Sequence, residues 1–259
     1  MGGLVVRKRK KTRRSRTTKK SPRFLAVLFF LILFVGLGFY ILTLPIWQIN
    51  DVVVNGAQLL SPDEVRTMAG IPVSENLFFT SFKRTRKNLD KIPAIKKYKL
   101  YRIPPGTVLI SLTERQPVAT IVLPKRSIII DGDGYILNHN KNITLNIANL
   151  ANLPVISGIK VADLNKGDKI EDKAAEIVAN VIVKLKDFHE LDRIQLDLGN
   201  YQNITLLLDD LLKVKLGDSD QIKKKMEVFE ALLPQIYGKW SRVKYVDVRY
   251  SENPVILLK

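Results

Sequence analysis

Cysteine is absent from the 259 residues, and histidine occurs only twice. Without a thiol there is no disulfide framework and no thiolate nucleophile, so any folded body must rest on ordinary apolar cores. The two histidines, His139 and His189, stand fifty residues apart with no second histidine beside either, which excludes the usual spacing of a tetrahedral zinc site. The chain also lacks a Gly-x-Ser-x-Gly elbow, a phosphate-binding glycine loop and a His-Glu-x-x-His helix. Asp131-Gly132-Asp133-Gly134 brings acids and glycines together, but without the ligand spacing and closing glutamate of an EF-hand it reads as a turn. Glu114 and Arg115 are neighbours that point to opposite faces of a strand, so a junction role is more economical than an acid with its electrostatic partner. Asn142-Ile143-Thr144 and Asn203-Ile204-Thr205 fit a glycosylation sequon and are assigned no role. No metal, cofactor or catalytic set is implied, and the expectation is a protein that is not an enzyme.

Acid is missing from one end of the chain. Residues 1–23 hold eleven lysines and arginines and no aspartate or glutamate, while the remainder holds 31 basic against 25 acidic residues, a net of +6 out of +17. From Phe24 to Leu44 no charge occurs at all, and sixteen of the 21 residues are Leu, Ile, Val or Phe. At ~1.5 Å per residue such a helix matches a hydrocarbon core ~30 Å thick. Insertion gains on the order of 5–10 kcal/mol, enough to carry Gly36, Gly38 and Thr43. A cleaved signal peptide would have a shorter apolar region and a small-residue cleavage site, whereas Leu42-Thr43-Leu44-Pro45-Ile46-Trp47 follows here. The expected organisation is a basic cytoplasmic tail at 1–23 and an uncleaved transmembrane anchor at 24–45, with everything beyond Trp47 outside the cytoplasm. Nucleic-acid binding by the tail is the competing possibility, but no aromatics interleave its charges, and contact with anionic lipid explains them.

The body reads as α+β. Val52-Val53-Val54 is a strand ended by Asn55-Gly56, and Ser61-Pro62-Asp63-Glu64 has the form of a capping box that opens a helix closed by Gly70. A second helix is expected over Ser81–Ile92, with Phe82, Leu89 and Ile92 on one face and five basic residues over much of the remainder, stopped by Pro93. Alternating strands follow around Tyr98–Arg102 and Val108–Leu112, on either side of Pro104-Pro105-Gly106. The unit is β-α-α-β-β and occupies 46–115. Residues 116–259 predict a second α+β domain with antiparallel pairing. Strands are expected at Ala119–Leu123, Ser127–Asp131, Ile194–Leu198, Asn203–Leu208, Leu211–Leu216, Val243–Tyr250 and Val255–Lys259, with a turn at Gly132-Asp133-Gly134 into Tyr135-Ile136-Leu137. Helices are expected over Glu171–Phe188, and from Asp218 or Ser219 to a stop at Pro234.

This order directly after an anchor resembles a POTRA domain of the FtsQ/DivIB family of bacterial division proteins. The resemblance rests on Val52-Val53-Val54-Asn55-Gly56, Tyr101-Arg102-Ile103-Pro104-Pro105-Gly106-Thr107-Val108 and Glu114-Arg115-Gln116-Pro117-Val118-Ala119, and on Ile130-Asp131-Gly132-Asp133-Gly134 and Val246-Asp247-Val248-Arg249-Tyr250. It runs from the anchor to the last strand, with little family pattern between Asn138 and Lys169. It implies a single-pass protein of the bacterial inner membrane at the division septum. Such a protein would act as a scaffold that binds the small coiled-coil proteins FtsB and FtsL and regulates septal peptidoglycan synthesis, without a small-molecule substrate. A membrane-anchored module for protein export or for binding wall polymer is the alternative, since the basic helix Ser81–Ile92 would suit acidic polymers or lipid head groups. An anchored enzyme is the third class.

The expected partner site is at the C-terminal strands. Alternation along Val243–Tyr250 places Val243, Tyr245, Asp247 and Arg249 on one face and Lys244, Val246, Val248 and Tyr250 on the other. Val255, Ile256, Leu257 and Leu258 are apolar on both faces, which fits either a core strand or an edge strand without the charges that usually blunt edges. As an edge it would take a strand of another protein through main-chain bonds. The resemblance places Arg249 and Tyr250 in the region that contacts FtsB; where the family has an aromatic residue near the chain end, Leu258 stands.

Overall fold

The computed structural model describes residues 22–123, 126–138, 145–146, 152–159, 168–186, 188, 191–236 and 238–259. The basic tail up to residue 21, both histidines, the Asn142 sequon and most of 138–169 lie outside the described residues.

Residues 1–47 and 48–259 are two separate compact units. The first contains α1 (Pro22–Thr43), of which the 21 residues Arg23–Thr43 are long and apolar enough to cross a membrane. A short 3-10 turn, Pro45–Trp47, follows, and the Trp47 indole donates to the Ile41 carbonyl at 2.7 Å.

The second unit opens with β1 (Asp51–Asn55), α2 (Pro62–Ala69), α3 (Lys83–Leu89), β2 (Ile95–Ile103) and β3 (Thr107–Glu114). β3 is central, antiparallel to β2 and parallel to β1, and the helices cover one face of this three-stranded sheet. Phe82, Leu89 and Ile92 are buried as the spacing predicts, together with Thr85, while the helix itself is shorter than Ser81–Ile92. Gly70 ends α2 in the left-handed conformation that a glycine adopts without strain. The capping box is only half realised. Ser61 stands at the start with extended backbone and Pro62 in the first turn, but its hydroxyl caps no N–H, and the acidic Asp63 and Glu64 complement the positive helix end instead.

Beyond Gln116 the chain changes sheet. β4 (Pro117–Leu123), β5 (Arg126–Asp131), β6 (Val155–Ser157), β7 (Ile194–Asp197), β8 (Ile204–Leu208), β9 (Leu212–Gly217), β10 (Val243–Asp247) and β11 (Val255–Leu258) form one sheet in the order β11-β10-β9-β8-β7-β6-β4-β5. The tight links make antiparallel pairs as expected: β4 with β5, β7 with β8, β8 with β9 and β10 with β11. The longer connections produce parallel pairs of β6 with β4 and β7, and of β9 with β10, so the sheet is mixed. Helix α4 (Asp172–Val178) continues through a π turn at Ala179–Val183, and Ala174, Ile177, Val178, Val181, Ile182 and Leu185 are all buried against the sheet. Helix α5 (Ile222–Ile236) buries Ile222, Met226, Phe229 and Leu233. Pro234 does not end it. The helix runs two residues further, to the buried Ile236, although proline has no N–H to donate to the Glu230 carbonyl one turn back.

The two sheets are joined through shared packing. Ile129, Leu137 and Leu145 belong to the apolar cluster of the first sheet rather than that of the second, and Leu60 bridges Leu145. The segment after the Gly132–Gly134 turn runs back along β5. Ile136 bridges Ile130, the Leu137 N–H donates to the Ile129 carbonyl at 2.8 Å, and Asn138 pairs through its side chain with Ile129 and Ser127.

Candidate functional site

The eight-stranded sheet has two ends, and they differ. At one end β5 is flanked by the returning segment Tyr135–Asn138. At the other, β11 has β10 on its inner side and, among the described residues, no strand on its outer side.

β10 is the strand that sets this end. Val246 and Val248 are buried as alternation predicts, but Val243 is buried with them rather than lying with Tyr245 on the opposite face. The register of β10 against β11 shifts between Val243 and Tyr245, and such a bulge adds one residue and reverses the phase of alternation. Lys244, assigned by strict alternation to the face that enters the core, is therefore exposed.

After β10 the chain turns through Ser251–Pro254 and returns as β11. Ile256 is half-buried against the second core, whereas Val255, Leu257 and Leu258 are exposed, Leu258 to 63%. Four apolar residues on a bare edge contrast with β2, an edge of the smaller sheet, which carries Lys96, Lys97, Lys99 and Arg102. Edge strands are ordinarily blunted by such charges, and β11 has none between Val255 and Leu258.

Arg249 and Tyr250 adjoin this edge. The Arg249 guanidinium donates from Nε to the Asp247 carboxylate at 3.0 Å and from Nη2 at 2.8 Å, and the Arg249 main-chain N–H donates to the same carboxylate at 3.1 Å. Burial pushes the Asp247 carboxyl up, but the Arg249 hydrogen bonds outweigh this and hold it below its ordinary range. The aliphatic part of Arg249 lies over Gly217, which ends β9 at φ +71; a Cβ there would meet Arg249 Cγ at 2.8 Å, so a side chain at 217 would displace the arginine. Tyr250 is 74% exposed. The side chain is thus presented rather than packed, next to a fixed positive charge.

A cleft of about 400 Å³ lies beside the turn, with Asp218, Lys225, Arg249, Tyr250 and Glu252 among its walls. The buried Lys225 ammonium donates to the Asp218 carboxylate and main-chain oxygen, and this hydrogen bond holds the Asp218 carboxyl below its usual range. Among the described residues no group of three acidic, histidine or cysteine side chains is gathered to hold a metal.

All six residues expected from the sequence, Arg249, Tyr250, Val255, Ile256, Leu257 and Leu258, are therefore at one end of one sheet. The sequence did not point to Gly217, Asp218 or Lys225. The signal available was the Asp247-x-Arg249 spacing, which puts acid and base on one side of a strand end.

Comparison with known proteins follows this division of the chain. Residues 48–115 match the family model described as POTRA domain, FtsQ-type, and residues 121–249 match that described as Cell division protein FtsQ/DivIB, C-terminal. The second match stops at Arg249, so Tyr250 and β11 lie just beyond it. A protein of Clostridium tetani named Cell division protein DivIB is 24% identical over 222 residues, covering 83% of this chain and 81% of the relative. The DivIB of Clostridium botulinum strain Hall is 26% identical over 220 residues, covering 84% of each. Cell division protein FtsQ of Corynebacterium glutamicum is 27% identical over 198 residues, covering 76% of this chain and 83% of the relative.

Proposed function

The chain belongs to the FtsQ/DivIB family of cell division proteins, and from that membership we propose that it is a non-enzymatic scaffold of the division septum that holds other division proteins through the free edge of β11. The observation that carries this is the apolar, uncharged edge strand Val255–Leu258 beside Arg249 and Tyr250. A strand of the partner adds to β11 through main-chain hydrogen bonds, side chains along the added strand meet Val255, Leu257 and Leu258, and Tyr250 supplies an aromatic anchor. The partners are the coiled-coil proteins of the FtsB and FtsL type, and through them septal peptidoglycan synthesis is regulated. Residues 46–115 and 116–259 act as two domains meeting at Gln116-Pro117, supported by the change of sheet between Glu114 and Pro117.

The test compares Tyr250→Ala and Ile256→Pro with the parent chain for capture of a partner of that type. Tyr250→Ala leaves folding intact, because its side chain packs little, and weakens capture by about 2 kcal/mol, roughly thirtyfold. Folded variants that capture the partner at parental strength remove the site from β11.

The proposal also needs residues 48–259 outside the cytoplasm, which the charge of residues 1–23 supports. A reporter active only outside the cytoplasm, fused after Lys259, is expected to give signal. A silent reporter, with a cytoplasmic one active at the same position, overturns both the topology and the septal assignment.

A further inference from the structure

Apart from α1 the chain has five phenylalanines, and two of them, Phe78 and Phe79, stand side by side at the surface. Their loop, between α2 and α3, is firmly built. Ile71 and Leu77 are buried, and the Asn76 side chain accepts the Phe78 N–H at 2.9 Å. Yet Val73, at 59%, and Phe79, at 54%, are more than half exposed. A fixed loop that shows apolar side chains to its surroundings marks a contact surface.

The stretch that carries it is rich in positive charge, although one of its lysines, Lys96, lies 3.5 Å from the Asp133 carboxylate of the other sheet. Between Ile71 and Ile103 there are nine basic and two acidic residues, a net of +7, whereas all of residues 24–259 carry only +6. One stretch of 33 residues therefore holds the whole positive excess of the body. Of its two acids, Asp90 accepts the Tyr98 hydroxyl at 2.7 Å, and Glu75 lies 3.1 Å from the Thr80 hydroxyl, whose nearer acceptor is the Asn76 carbonyl at 2.6 Å. Helix α3 contributes Lys83, Arg84, Arg86 and Lys87, with Lys83 and Arg84 beginning four residues after Phe79. Arg102 of β2 adjoins the loop, donating to the Thr80 carbonyl at 2.7 Å while its guanidinium lies 4.8 Å from the Phe82 ring centroid.

The same loop is hydrogen-bonded to the point where the second unit begins. The Ile49 N–H donates to the Glu75 carbonyl and the Ser74 N–H to the Ile49 carbonyl, both at 2.8 Å, and Gln48 bridges Asn76. Gln48 and Ile49 directly follow Trp47, the last residue of the turn after the apolar helix.

We propose that the Phe78-Phe79 loop and the basic face of α3 form a docking surface for the headgroup layer of an anionic phospholipid bilayer. The aromatic side chains enter the boundary between headgroups and acyl chains while lysine and arginine meet the lipid phosphates, the two forces that hold proteins at membrane surfaces. Charge complementarity selects this occupant, and covalent continuity with a membrane-spanning segment supplies it at high effective concentration.

The test uses the full chain in lipid nanodiscs. Because the chain has no cysteine, Ser81→Cys gives a unique site for a nitroxide on the exposed residue beside the loop, and Lys223→Cys on α5 provides the distant control. In discs of phosphatidylcholine with phosphatidylglycerol, the label at 81 is expected to collide more with oxygen and less with an aqueous nickel chelate than in discs of phosphatidylcholine alone, while the label at 223 does not change. Each basic side chain at an anionic surface contributes roughly fivefold to such an equilibrium, so the triple change Lys83→Glu, Arg84→Glu, Lys87→Glu lowers the ratio of docked to free at least on the order of a hundredfold. Phe78→Ser with Phe79→Ser has the same direction of effect, and the charge reversals, all at exposed positions, decide the matter if that pair misfolds. A label at 81 that is equally aqueous in both lipids overturns the proposal. So does protection that is indifferent to lipid charge but follows added peptidoglycan fragments or a soluble protein. Capture of a partner at β11 is unaffected by these variants, so failure here and failure of the septal assignment are distinguishable.

Discussion

Arg115→Leu is expected to destabilise the body formed by residues 48–259 by about 3–5 kcal/mol, measured as a lowered urea midpoint with unchanged slope. Arg115 follows β3 immediately and reaches across to the second sheet. Its Nη1 lies 2.7 Å from the Asp131 carboxylate, both side chains are nearly buried, and its guanidinium is 3.5 Å from the Tyr135 ring centroid. Asp131 is already committed on its other oxygen, which accepts the N–H groups of Asp133 at 3.0 Å and Tyr135 at 2.7 Å and so forms the turn. Removing the arginine leaves a carboxylate that can neither leave the turn nor recover its hydration. Arg115→Lys restores only part of the loss, because an ammonium cannot stack flat on Tyr135 while meeting the carboxylate. A change of less than about 1 kcal/mol in Arg115→Leu would show that the pair is hydrated in solution and contributes as little as a surface pair does.

Glu114→Ala is expected to cost about 2–4 kcal/mol by a different route. The buried Glu114 carboxylate accepts three consecutive main-chain N–H groups, those of Gln58 at 3.0 Å, Leu59 at 2.6 Å and Leu60 at 2.8 Å. Alanine leaves three donors facing a cavity, one of them fully buried, and each unsatisfied buried group costs roughly 1–3 kcal/mol before water or relaxation compensates. The effect reaches beyond the first sheet, since the Leu59 carbonyl accepts the Asn146 N–H at 2.7 Å. Hydrogen exchange at Asn146 should therefore accelerate in Glu114→Ala and much less in Arg115→Leu. Equal acceleration in both would mean that the junction opens as one unit.

These adjacent residues illustrate what the sequence discloses. Their identity as a junction was legible, because neighbours on a strand must serve opposite sides. Their partners were not, because Gln58–Leu60 and Asp131 come near only once the chain has turned twice. Periodic elements were legible for the converse reason: the spacing of Ala174, Ile177, Val178, Val181, Ile182 and Leu185 is itself the buried face of α4. The π turn within that helix leaves no mark on the apolar spacing. The bulge in β10 hid in the same way, since a period of two contains nothing that announces an extra residue between Val243 and Tyr245. Ile129 and Leu137 lie in a stretch assigned to the second domain, yet they pack in the core of the first, because the return of Tyr135–Asn138 along β5 turns them that way. At the candidate site the apolar run was visible in the sequence and its exposure was not. Val255–Leu258 reads the same whether it lies within a sheet or at its rim; strand order alone puts it at the rim.

That strand order also fixes a valency. Among the described residues, one rim of the eight-stranded sheet is covered by the protein's own Tyr135–Asn138 segment, and β11 is the rim left bare. A sheet open at both rims propagates; one open at a single rim terminates after a single addition, or closes by meeting its own copy about a two-fold axis. Pairing with a copy and pairing with a foreign strand are then mutually exclusive uses of the same four residues. If partners are held at this rim as proposed, the number of partner strands cannot exceed the number of copies of this chain, and every self-paired dimer withdraws two places from the count.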